Sequence, residues 1–201
     1  MVTVRHRMEG IMTSLFGRVT SGPGVRIRNV HSRIARGGLA DAERLIELLG
    51  GDDDALWPSD RWQPLLLDRG AVVGSRGGHG LVRYTVSARE PGLIEFTFDK
   101  GTGLVGSHRL SVEQLSGGRL LWMHELDGRS IMPRAATEAV VVLHDALIED
   151  LLDAAEALGA GESLHRRRFG PAVAALHRLD RWFDRTPRAV ASARPRRLST
   201  G

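Results

Sequence analysis

The chain has 201 residues, 42% of them apolar, and a formal net charge of +4, enough for one domain with a sizeable core plus extensions. It contains no cysteine, which excludes disulfides and thiol catalysis, and no apolar run of about 18 residues that could form a membrane-spanning helix. The charge is split: residues 160–201 carry ten arginines against Glu162, Asp180 and Asp184, a balance of +7 that leaves −3 for residues 1–159.

In chain order, residues 1–24 read as a disordered overhang, with Met8 or Met12 as alternative starts, closed by the Ser21–Gly24 turn. Cytoplasmic residence is expected, since the short apolar stretch before it is broken by Glu9 and Gly10. Val25–Ala35 (VRIRNVHSRIA) predicts a strand whose alternation slips near Asn29–Val30, the mark of a bulge. Leu45, Leu48 and Leu49 predict a short helix ended by Gly50–Gly51, and Pro58 and Pro64 break the stretch that follows.

A run of alternating strands comes next. Tyr84 shares parity with Val82 and Val86, Phe96 with Ile94 and Phe98, His108 with Leu110 and Val112, and Leu120, Trp122, His124 and Leu126 with one another. Glycine-rich turns separate them, including GSRGGHG, which lacks the Lys-Ser/Thr ending of a phosphate loop and opens no helix. A long helix follows, from near Ala135 to Gly159. At about 100° per residue, Val140, Leu147, Leu151 and Leu158 fall on one line and His144 lies about 40° from it. Asp145, Glu149, Asp153 and Glu156 fall on the opposite side, which reads as the solvent face. Only this helix is long enough to cover the sheet. The expected architecture is therefore α+β, a curved antiparallel sheet wrapped around a long C-terminal helix, over residues 25–159.

The tail, residues 160–201, is expected to hold a basic amphipathic helix at about 169–184 and then to be disordered. Phe169, Val173, Leu176, Leu179 and Phe183 share an arc, flanked by Arg166–Arg168, Arg185 and Arg188. Residues 166–188 are thus a candidate peripheral membrane contact, or a surface that docks on the domain. No nucleic-acid partner is expected, because the strands carry no exposed aromatic-plus-basic platform. The sequence sets no oligomeric state.

The words RNVH (Arg28–His31), WPSDRWQP (Trp57–Pro64), GGHGLVRYTV (Gly77–Val86), GSHRLSVE (Gly106–Glu113) and LHDALIEDLLDAAEA (Leu143–Ala157) resemble the helix-grip superfamily of START-like, polyketide-cyclase-like and plant-allergen-like (SRPBCC) domains. The resemblance covers about residues 25–159, and its GGHG and long-helix blocks are the more specific. It implies a hydrophobic cavity between sheet and helix, but no particular activity. Where the fold's second short helix would lie, this chain has only Asp52–Asp60.

On this basis the expected function is binding of a small hydrophobic ligand, such as a lipid or a polyketide-like metabolite. The expected lining is Tyr84, Phe96, Trp122, His124, Val140, His144 and Leu147: apolar walls with few polar groups. The alternatives are a polyketide aromatase/cyclase or dehydratase, with His124 or His144 as general acid/base, and a membrane-peripheral lipid carrier. No metal site or cofactor is expected, since no histidine pair has HxxxH or HExxH spacing. His79, in a glycine turn, is expected to tie strands together.

Overall fold

The computed structural model describes residues 24–184. The calls on the N-terminal overhang, on Arg185 and Arg188, and on a disordered C-terminus fall outside the described residues, as do the side chains of Leu179 and Phe183.

Seven strands form one antiparallel sheet: β1 (Val25–Arg36), β2 (Leu66–Leu67), β3 (Arg76–His79), β4 (Val82–Glu90), β5 (Leu93–Phe98), β6 (Leu104–Leu115) and β7 (Arg119–Ser130). The order is β1-β7-β6-β5-β4-β3-β2, so β2 to β7 make a meander and β1 adds beyond β7. The helices are α1 (Leu39–Leu48), α2 (Arg134–Ala160) and α3 (Pro171–Asp184). Residues 52–60 hold no helix, as read from the sequence. The strand parities hold: Tyr84, Val86, Ile94, Phe96, Leu110, Val112, Leu120 and Trp122 are buried in one core with Leu147, Ile148, Leu151 and Leu152 of α2. The sheet curves around that helix.

Two expectations fail together at β1. There is no bulge near Asn29–Val30, since β1 pairs with β7 without a break from Val25 to Arg36; the register shift lies in β4, between Val86 and Ala88. Nor do Asp145, Glu149, Asp153 and Glu156 face solvent as a group. Asn29 Nδ2 donates to Asp145 (2.8 Å), and His31 bonds both Asp145 (3.1 Å) and Glu149 (2.9 Å). Arg33 reaches Glu149 (2.8 Å), Asp153 (2.6 Å) and Glu156 (2.8 Å). Polar residues thus occupy inward positions of β1, and a polar residue facing inward reads in sequence as a slip.

The geometry explains the match. Two residues of strand advance about 6.7 Å and four residues of helix about 6 Å, so rungs at 29, 31 and 33 stay in step with 145, 149 and 153. Helix α2 is consequently buried around most of its circumference from Leu147 to Ala155, rather than on one side. Leu158, expected on the inner line, lies past the core and is 43% exposed.

Candidate functional site

Between α2 and the sheet lies a cavity of about 170 Å³. Helix α2 supplies Val140, Leu143, His144 and Leu147. The sheet supplies Val82, Phe98, Leu104, His108 and Leu126, and the end of β3 with its turn adds His79, Gly80 and Leu81. Trp62 and Gln63 close one side from the segment before β2. No Asp, Glu, Lys or Arg lines it.

His79 is placed by its glycines. A Cβ on Gly77 would lie 1.8 Å from the Leu66 carbonyl oxygen, and Gly78, at φ +146, would place one 2.0 Å from that of Val82. Only glycines let β2, β3 and β4 approach so closely. His79 then packs at a tilt against Trp57 of the segment before β2 (centroids 4.8 Å) while lining the cavity.

The histidines form a chain through the core. Ring centroids lie 6.3 Å apart for His31–His144, 5.0 Å for His144–His124 and 5.4 Å for His124–His108. His108 Nδ1 and His124 Nε2 are hydrogen-bonded at 3.2 Å. Burial pushes His79 down to about 3 and His144 down to about 4, with the charge of a neighbouring histidine adding to the effect in each case. Burial holds His108 and His124 well below the ordinary value, helped by the neighbouring imidazoles. All four are neutral at pH 7. His31 is the exception: burial opposes its charge, but hydrogen bonds to Asp145 and Glu149 raise it to about 9.

One nitrogen of His31, one of His144 and a carboxylate oxygen of Asp145 lie within 4.8 Å of one another, a possible metal-ligand group. The donor set suits a cation poorly: His31 is fixed as an imidazolium, its two ring nitrogens spent on two carboxylates. A metal would have to displace that proton.

Of the residues expected to line the cavity, Val140, His144 and Leu147 do so. Tyr84, Phe96, Trp122 and His124 sit one layer back, all 3% exposed or less and absent from the wall. His124 is not part of the wall, and its hydrogen bond to His108 and its ring contact with His144 link it to the cavity. Sequence reasoning missed His108, Phe98 and Trp62 as lining residues. The parity of His108 with Leu110, and of Phe98 with Phe96, was the available signal.

The tail meets the same wall from outside. Phe169 and His177 contact the Trp62 ring (centroids 5.5 and 4.8 Å), and His177 bonds the Arg61 carbonyl oxygen (2.9 Å). Arg166 bonds Asp60 and the Asp150 carbonyl oxygen. Phe169, on the arc read either as a membrane contact or as a docking surface, is turned onto the domain.

Three solved structures are similar to this chain in fold. Norcoclaurine synthase from Thalictrum flavum matches with a TM-score of 0.54 at 13% identity, over 72% of this chain and 95% of that one. CalU16 from Micromonospora echinospora matches at 0.50 and 13%, over 82% and 89%. A protein from Thermobifida fusca matches at 0.50 and 15%, over 71% and 99%. The chain has the helix-grip fold. At these identities the likeness establishes the helix-grip architecture and not a ligand or reaction. No protein-family model and no curated protein matches the chain. Among the described residues no helix is long and apolar enough to cross a membrane.

Proposed function

We propose that the protein binds a small hydrophobic ligand in the cavity between α2 and the sheet. The observation that carries this reading is a wall of apolar side chains interrupted by Gln63, His79, His108 and His144, with no protein hydrogen bond to His79 or His144 among the described residues. All three histidines are only partly buried, so imidazoles left open on a void fit a site whose partner comes from outside. The volume sets the scale. A cavity of about 150 Å³ holds benzene, so about 170 Å³ suits a ring-sized body rather than a whole lipid chain. If the protein also acts on its ligand, the acid–base role falls to His144, which lines the cavity, rather than to His124.

Toluene titration followed by calorimetry tests the reading, with native mass spectrometry of freshly purified protein as a search for a retained metabolite. Toluene is expected to bind one per chain, and Leu143→Trp, which fills the void, is expected to abolish binding while the chain stays folded. No toluene binding to folded wild type, together with no retained molecule, overturns it.

A further inference from the structure

We infer that the cavity selects an uncharged, ring-sized ligand carrying an oxygen acceptor, and that the His108–His124 pair reads that oxygen through His108 Nε2–H. This rests on the ligand-binding reading above and narrows it to a chemical class.

The argument starts at His124. It is 3% exposed, its Nε2 faces His108 Nδ1 at 3.2 Å, and its Nδ1 has no hydrogen-bond partner. A neutral imidazole has one N–H and one lone pair, so two assignments exist. Placing the proton on Nδ1 buries an N–H with nothing to accept it. Placing it on Nε2 leaves only an unmatched lone pair at Nδ1 and lets Nε2–H donate to His108. Orphaned buried donors are rarer than orphaned acceptors, so the second assignment wins.

His108 then accepts at Nδ1 and carries its own proton at Nε2. Its ring is stacked against Phe96 and Phe98 (centroids 5.0 and 5.2 Å), which limits reorientation. Among the described residues Nε2 has no hydrogen-bond partner, and the residue lines the cavity. The wall therefore presents a donor whose direction and tautomer are fixed from behind, and its complement is a carbonyl, ether or hydroxyl oxygen.

Charge narrows the class further. No lining residue is a carboxylate, ammonium or guanidinium. The nearby cation, His31, is spent on Asp145 and Glu149. A carboxylate or an ammonium entering the cavity would lose its hydration without a counter-charge, a cost far above that of a neutral oxygen. The size admits one ring.

The experiment compares p-cresol with p-xylene, which has nearly the same shape but no oxygen, and with benzoate and benzylamine, each titrated into the full chain at about pH 7 by calorimetry. p-Cresol is expected to bind about tenfold more tightly than p-xylene, the worth of one hydrogen bond to a donor otherwise unpaired. Benzoate and benzylamine are expected to bind more weakly than either. Imidazole 15N chemical shifts are expected to show His108 protonated at Nε2 and His124 protonated at Nε2. In His108→Phe the preference for p-cresol over p-xylene is expected to vanish. Should that variant fail to fold, the ligand series and the nitrogen shifts on wild type decide alone. Equal affinities for p-cresol and p-xylene, tighter benzoate or benzylamine, or a His108 proton at Nδ1 each overturn the inference while leaving a hydrophobic site in place. Absence of binding by p-xylene and p-cresol alike overturns the inference and the ligand-binding reading together.

Discussion

His31 and the four imidazoles around it titrate in opposite senses, because only His31 has carboxylates in hydrogen-bond contact. Held at about 9 in the fold against 6.5 when unfolded, it adds stability that is complete below pH 6.5 and is lost as pH rises through 9. At full extent the displacement corresponds to about 3 kcal/mol. His79, His108, His124 and His144 work the other way. Burial keeps them neutral in the fold, so the unfolded chain binds protons below about pH 6.5 while the fold does not, and stability falls as pH drops toward 4. Glu149, held low by His31 and Arg33, adds to the loss at acid pH. The thermal midpoint is therefore expected to peak near pH 6.5–7, with the steeper fall on the acid side, where four histidines act together. His31→Gln is expected to flatten the alkaline limb between 6.5 and 9 and to leave the acid limb in place apart from the share of Glu149, which loses one of the partners that hold it low. A wild-type midpoint that does not change between pH 6.5 and 9 would contradict the charge assigned to His31.

At the scale of elements, the contact between β1 and α2 is a polar ladder, formed on the side of the helix that reads in sequence as its solvent face. Arg33 holds Glu149, Asp153 and Glu156 at once and is 12% exposed at its side chain; Asp153 is 9% exposed. Arg33→Met keeps the length of the side chain and removes the charge. Asp153 keeps Arg167 (3.0 Å), but that arginine is 63% exposed and its pairing is weakened by water. The expected cost is about 3 kcal/mol in denaturant unfolding, since a carboxylate left buried without its cation is strongly destabilising. A change under about 0.5 kcal/mol would mean that the ladder is incidental. The ladder also marks what could be read from the sequence. The meander β4–β7 was legible because each strand alternates apolar against polar, and α2 because of its period. Strand β1 was placed correctly but misread in detail, as Asn29, His31 and Arg33 look like outward residues until their partners, more than 110 residues away, are known. The cavity itself was the least legible feature. Tyr84 and Trp122 share parity with residues that line it, yet lie a layer behind, and which side chains stop short of one another depends on the curvature of the sheet rather than on alternation.

At the scale of the whole molecule, the tail packs on the cavity wall from outside. Trp62 forms part of the cavity wall, but the segment around it has no helix or strand to hold it. Its anchors are Nε1–H donating to Asp150 (2.7 Å) from within the domain, and Phe169 and His177 packed on the ring from the tail. Arg61 is fixed in the same way, bonded to Asp150 (3.0 Å) with its guanidinium 3.7 Å from the centre of the Phe169 ring. Asp150 stands at the centre of this cluster, its carboxyl pushed up by burial and drawn back by Trp62 and Arg61. Truncation after Gly161 removes Phe169, His177 and Arg166 but leaves the sheet and α2 complete. The truncated chain is expected to keep its far-ultraviolet dichroism, to melt a few degrees lower and to show red-shifted tryptophan emission as Trp62 meets water. It is also expected to release p-xylene faster than the full chain, because the Trp62 part of the cavity wall loses its outer support. Phe169→Ala in the full chain is expected to reproduce part of both effects without changing the charge of the tail. An unchanged release rate in the truncated chain would show that Asp150 alone holds Trp62 in place, and that the tail covers the domain without controlling access to it.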